Sequence, residues 1–277
     1  MSALTFILKK PPQYTLDVSR LTPDYLEGKT LARIKKIRLR YGNQKIAAGE
    51  LFTISGMETD NIIINHSTEK LIGVGHEMTH GRIEVKGDAG NFIGQKMQGG
   101  TITIRGNAGT WAASSMSNGY IEINGNVGDY LGAGLPGDPH GMSNGHVFVT
   151  GDAGDRVGDR MRRGIIIIRG KAGDYCGSRM AAGTIIVLDK AGKNAGFGMK
   201  RGTIVLAKKP KNIAASFKSC GNLKIQFLRL LFKQLIEMSK QYAFFKKYGP
   251  EAHRFAGDLA SKGKGELLIL QTIKTGS

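Results

Sequence analysis

The chain has 277 residues, a formal net charge of +18, 40 glycines and 2 cysteines. Neither cysteine lies in a C-x-x-C pair, and apolar residues recurring between the glycines exclude a disordered glycine-rich chain. The charge predicts an acidic partner: nucleic acid, an anionic membrane, an acidic subunit or a polyanionic substrate.

Residues 1–50 lack the repeat that follows and are expected to form an N-terminal cap. Leu4 to Leu8 read as a strand, the Pro11-Pro12 pair breaks it, and Thr22 to Ile37 reads as a helix with Pro23 in its first turn. The opening MSALTFILKKPP has no long apolar h-region, and no run of eighteen apolar residues occurs. A cytoplasmic, reducing compartment without membrane insertion is therefore expected.

Residues 51–222 carry a repeat, degenerate from Ile62 and regular from Gly81. Gly81, Gly100, Gly119, Gly145, Gly164, Gly183, Gly202 and Gly221 are nineteen residues apart at every step but Gly119 to Gly145, which is twenty-six because of a seven-residue insertion. Met78, Met97, Met116, Met142, Met161, Met180 and Met199 keep the same beat, seven of the ten methionines. Each leading glycine precedes an alternating strand, such as Ile83 and Val85 or Ile185 and Val187, with one buried face. A G-x-x-G-x-x-x-G bend follows, as at Gly151, Gly154 and Gly158. A unit this short buries its apolar slots only by stacking on its neighbour, so the fold class is all-β, a parallel β-helix solenoid of nineteen-residue coils.

Several residues carry potential chemistry. His76 to His80 spells HEMTH, the H-E-x-x-H of zinc proteases, but Met78 occupies the repeat's methionine slot, which predicts a bend and not the helix that metal ligation needs. Cys176 replaces Ile93, Leu131 and Val157 in their slot, so it reads as an interior thiol. Phe92, Trp111, Tyr130, Arg156 and Tyr175 share another slot, a ladder that packs along one edge or docks a partner. The insertion, Ala133 to Gly141, is expected to loop out, bringing Pro136, Asp138 and His140 within reach of a ligand.

Late in the repeat both strand faces turn apolar, at Phe148, Ile165, Ile167, Ile186, Leu188 and Val205, which requires a second cover. Residues 223–277 supply one. Leu223, Phe227, Leu230, Leu231, Leu235, Met238 and Tyr242 fall at helical spacing, predicting an amphipathic helix from Leu223 to Tyr248 that packs on the outer sheet, meets another subunit or lies on a membrane surface. Arg160, Arg162, Arg163, Arg179, Lys200 and Arg201 flank the methionines of consecutive late turns and are expected to form a cationic strip that binds an anion, the alternative being a solvated edge. No carboxylate pair, metal cluster or nucleophile constellation stands out, and there is no aromatic-plus-basic groove of the kind nucleic-acid recognition uses.

The coils, the MRRG, MAAG and MKRG edges, and the ending RFAGDLASKGKGELLIL resemble the C-type subunit of formylmethanofuran dehydrogenase and of the bacterial formyltransferase/hydrolase complex. More distantly they resemble the C-terminal domain of the glutamate synthase large chain, which offers an alternative reading as a module of an ammonia-channelling enzyme. The resemblance implies a right-handed, single-stranded β-helix that carries no active site, metal or cofactor of its own. It also implies partnership with amidohydrolase-like, formyltransferase and B-type subunits in one-carbon metabolism. The family's methanofuran-type carrier has a glutamate-rich arm, so the resemblance suggests the cationic strip as its guide.

Overall fold

The computed structural model describes residues 2–272. Alternating β-branched residues build its main element, a 13-stranded sheet. At its centre lie β8 (Arg82–Gly87), β9 (Thr101–Ile104), β10 (Tyr120–Ile123), β11 (His146–Val149), β12 (Ile165–Ile168), β13 (Thr184–Val187) and β14 (Arg201–Leu206). Neighbours pair in parallel and without slippage, so Ile83, Ile102, Ile121, Val147, Ile166, Ile185 and Ile204 stand side by side. A second column of parallel bridges joins Ala89, Ala108, Val127, Ala153, Ala172 and Ala191. Both columns and all seven repeat methionines are buried in one continuous core.

The spacing of methionine and glycine has a steric cause. A Cβ at Gly202 would lie 2.7 Å from the Met180 methyl and 3.0 Å from the Gly183 carbonyl oxygen, and the residue's φ is +103°. The same contact pairs Met78 with Gly100 and Met161 with Gly183. Each methionine thus ends beneath the leading glycine of the following turn, in space that only a missing side chain leaves open.

The bends are held by a second device, one the glycines conceal in the sequence. Asp88 Oδ1 accepts from the Asn107 N–H at 2.6 Å, Asn107 Oδ1 from Asn126 at 2.8 Å, Asn126 Oδ1 from Asp152 at 2.8 Å, and Asp152 Oδ1 from Lys171 at 2.8 Å. A parallel ladder runs from Asp129 through Asp155 and Asp174 to Lys193. Backbone donors that the bend leaves unpaired are satisfied by the turn before.

At the amino end, β1 (Ala3–Leu8) pairs in parallel with β6 (Glu58–Ser67) and antiparallel with β5 (Phe52–Ser55), closing that side of the sheet. A second sheet, of β2 (Leu16–Asp17), β3 (Arg38–Tyr41), β4 (Gln44–Ala47) and β7 (Leu71–Ile72), buries Leu16, Leu39 and Leu71 in the same core as Leu4 and Phe6. The helix expected from Thr22 to Ile37 is two: α1 (Pro23–Leu26) and α2 (Leu31–Lys35), with α3 (Ala48–Leu51) later. Gly28 adopts φ +67° and Thr30 caps α2 by accepting from the Arg33 N–H, so the chain restarts there. No helix among the described residues is long and apolar enough to cross a membrane.

The carboxyl end departs from the periodicity. Gly221, next in the glycine series, lies on β15 (Lys218–Lys224) at the far edge of the sheet. The strand beside β14 is β17 (Lys264–Thr272), with Gly265 opposite Gly202 and Leu267 opposite Ile204. Gly265 also sits over the Met199 methyl, at 2.6 Å from the position of its absent Cβ. β16 (Tyr248–Gly257) joins β17 to β15 in antiparallel fashion.

The predicted cover is present but shorter and turned. Helix α4 spans Gln226–Met238, Ser239 is extended at φ −160° and ψ 140°, and a 3₁₀ segment runs over Lys240–Lys247. Leu228, Leu231, Phe232 and Leu235 of α4 pack with Tyr242 and Phe245 on Phe148, Ile167, Ile186 and Val205 of the sheet. Of the residues expected on the inner face, Leu231, Leu235 and Tyr242 are buried. Phe227, Leu230 and Met238 point away, because the i, i+3, i+4, i+7 stripe that begins at Leu228 is the fuller one.

A polar cluster fastens this cover. Tyr242 Oη lies 3.1 Å from His146 Nε2 and 3.2 Å from Tyr120 Oη, and Gln241 Nε2 donates to Tyr120 Oη at 2.7 Å. Tyr120 also faces Glu122 at 3.4 Å. Burial pushes the His146 imidazole down to about 4 and raises both tyrosines.

Two measurements check these contacts. Gly202→Ala is expected to cost at least ~2 kcal/mol in denaturant unfolding, combining overpacking and left-handed strain. Gly221→Ala is expected to cost less, because nothing lies within 4 Å of its added methyl. Because His146 has its proton affinity lowered on folding, the unfolded chain binds the extra proton between pH 6.5 and about 4. Stability is therefore fully present above pH 6.5 and falls as pH drops through that window, by up to about 3 kcal/mol. His146→Phe is expected to flatten that slope.

Candidate functional site

The two residues after each methionine turn the chain toward the next leading glycine, and their backbones stack. The Arg162, Ala181 and Lys200 N–H groups donate at 2.8 Å to the carbonyls of Met142, Met161 and Met180, respectively. That fixes two surface columns, Ser143, Arg162, Ala181 and Lys200, and beside it Asn144, Arg163, Ala182 and Arg201. The second is extended by Lys264, the register partner of Arg201. Arg162, Arg163, Lys200 and Arg201 are all exposed.

The expected strip is thus interrupted. Ala181 and Ala182 separate the Arg162–Arg163 pair from the Lys200–Arg201 pair, leaving the pairs two strand spacings, ~10 Å, apart. In these two columns the repulsion expected between cations on adjacent turns is relieved by the alanines, and it reappears where Lys264 lies next to Arg201. Sequence spacing alone conceals Lys264, because it reaches the column from a strand 63 residues beyond Arg201.

The other two cations are occupied. Arg160 and Arg179 share a column in which the backbone is left-handed, with φ of +58° and +53°. Arg179 grips the buried carboxylate of Asp159 with both Nε, at 2.9 Å, and Nη2, while the buried Ser178 hydroxyl donates to the same carboxylate at 2.6 Å. Its hydrogen bonds to Asp159 hold the Arg179 guanidinium above its ordinary range. Arg160 Nη1 donates to the Asp138 carbonyl at 3.2 Å. The insertion, expected to loop out, therefore folds back on this edge, and Ser115 Oγ donates to Asp138 Oδ2 at 2.6 Å.

Five exposed cations, Arg162 with Arg163 and Lys200 with Arg201 and Lys264, suit an extended polyanion that presents negative groups about every 10 Å, since each guanidinium or ammonium donates to carboxylate or phosphate oxygens.

His76 lies in a turn, and His80 sits 3.4 Å from Asp24 and 3.3 Å from Asp60. Burial raises the Asp24 carboxyl, but hydrogen bonds from Thr79 and the neighbouring His80 outweigh it and hold the group below its usual range. No group of three or more His, Cys, Asp or Glu side chains able to hold a metal ion occurs among the described residues. Cys176 is fully buried, which pushes its thiol up to about 12. In the aromatic slot Trp111 and Tyr130 stack at 4.2 Å with planes 3° apart, and the Arg156 guanidinium lies 4.8 Å over Tyr175. Each of these residues has φ near +60°, a strain that ring stacking helps offset.

Comparison with known proteins places this architecture. The family model described as the GXGXG motif matches residues 49–241. The C-type subunit of the tungsten-containing formylmethanofuran dehydrogenase 2 of Methanothermobacter marburgensis is 37% identical over 98 residues, covering 34% of this chain and 36% of that protein. Its counterpart in Methanococcus maripaludis is 33% identical over 95 residues, covering 34% and 35%. The matched segment spans about a third of the length of these curated relatives. A chain of the crystal structure of the formyltransferase/hydrolase complex (FhcABCD) from Methylorubrum extorquens in complex with methylofuran superposes with a TM-score of 0.89 at 32% identity, over 96% of this chain and 98% of that one. On these matches the chain belongs to the GXGXG-motif family, in the branch of the C-type subunits of formylmethanofuran dehydrogenase and the formyltransferase/hydrolase complex.

Proposed function

We propose that this chain is the non-catalytic scaffold subunit of a formyltransferase/hydrolase-type complex in one-carbon metabolism, a right-handed, single-stranded parallel β-helix. We propose further that its cationic edge guides the anionic arm of a methanofuran-type carrier between active sites on partner subunits. The observation that carries the reading is the near-complete superposition on a chain of the methylofuran-bound complex. The paired cations Arg162, Arg163, Lys200 and Arg201 support the second part, being exposed and spaced for an extended polyanion. Arg160 and Arg179 belong to the scaffold of that edge, since each already has a partner within the chain. The formyl chemistry is assigned to the partner subunits.

The test is charge reversal in the assembled complex. Arg162→Glu, Arg163→Glu, Lys200→Glu and Arg201→Glu together are expected to raise KM for the carrier ~10-fold or more, from surface ion pairs worth ~0.2–1 kcal/mol each. The maximum rate at saturating carrier is expected to change little. Arg179→Ala is expected to destabilise the chain without that KM effect, because it strips the buried Asp159 of its charge partner. Unchanged KM and rate in the quadruple variant would remove the guiding role. Loss of a partner chain from the purified complex would reassign the cations to docking.

A further inference from the structure

Strand β15 ends the large sheet. Its one strand neighbour among the described residues is β16, through pairs such as Ser219 with Phe255 and Leu223 with Ala252. The backbone donors and acceptors of its outer edge therefore face solvent, and all its residues are exposed except the half-buried Gly221. The pairing shifts register between Ser219 and Asn222, where Gly221 has φ +78°, so the free edge offers two short stretches, of which Asn222–Lys224 beside α4 is the template for another strand.

Two further features lie beside it. Helix α4 begins after the single residue Ile225 and turns apolar side chains outward from its start: Phe227 is 44% and Leu230 62% exposed, and Leu223 of β15 is 41% exposed. The opposite stripe of α4 already packs on the sheet, so these residues serve no contact within the chain's core. Residues 218–247 also carry Lys or Arg at seven positions against one carboxylate, Glu237, which pairs with Lys233 at 3.8 Å.

From the coincidence of an open backbone edge, an apolar patch and predominantly positive charge, we infer that the β15–α4 surface binds an acidic polypeptide segment in extended conformation. The segment pairs with the outer edge of β15 and lays apolar side chains on Leu223, Phe227 and Leu230. The free edge selects a polypeptide over a lipid surface, because a second backbone is what pairs alternating N–H and C=O groups. The charge selects an acidic one, and it disfavours a second copy of this chain, which brings the same cations. This site lies on different elements from the cationic edge and stands whether or not that edge handles a carrier.

The test uses the full chain and a synthetic peptide of alternating glutamate and leucine, followed by fluorescence anisotropy. Saturable binding is expected, weakened at least tenfold by Leu230→Glu and by N-methylation of the peptide amides on its pairing edge. The amides of residues 219–224 are expected to become protected from hydrogen exchange. Absence of saturable binding overturns the inference, as does equal binding of the N-methylated peptide or protection confined to other segments. Binding to phosphatidylserine vesicles in place of the peptide assigns the surface to membrane and overturns it. So does a dimer of the chain that Leu230→Glu dissociates in sedimentation.

Discussion

Each turn of this chain is keyed to the next by a methyl group that occupies the room a glycine leaves. The Met161 methyl lies 3.0 Å from where a Cβ would stand on Gly183, and the Met199 methyl 2.6 Å from the corresponding point on Gly265. Neither residue works without the other: a larger side chain above has no space, and a shorter one below leaves a void. The contact holds successive turns in one register, and that register decides which surface residues line up. The Asp and Asn ladders of the bends operate within it, each side chain binding the backbone of the turn that follows.

Much of this was legible in one dimension because nineteen residues return the chain to the same place. The side-by-side order of Ile83, Ile102 and Ile121 and the burial of the methionines follow from the spacing of identical residue types. The apolar outer face of β11 to β14 likewise announced a cover. The phase of that cover was not legible, because residues 223–242 contain two overlapping apolar stripes, and only contact with Phe148, Ile167 and Ile186 distinguishes Leu228 and Phe232 from Phe227 and Leu230. His146 was invisible as a fastener, since its partners Tyr242 and Tyr120 lie 96 residues after it and 26 before it.

The candidate site was legible in part for the same reason. The four exposed cations followed from their slots. Their grouping depends on the intervening alanines of MAAG, which a count of charges overlooks, and on Lys264, which joins the column through a strand pairing outside the period. Arg179 read as one of the six cations of the strip. The burial of Asp159 makes it a structural one, because a carboxylate with so little access to water requires a charge partner.

That out-of-period pairing also bears on how the molecule is made. From β8 to β14 a new strand meets its predecessor after nineteen or twenty-six residues, so each turn can settle on the last while the ribosome is still elongating the chain. The neighbour of β14 comes 63 residues later. Until β17 has been translated, the flank of β14 lacks its strand partner, so a nascent chain halted before Lys264 displays an open sheet end to any chaperone or sister chain nearby.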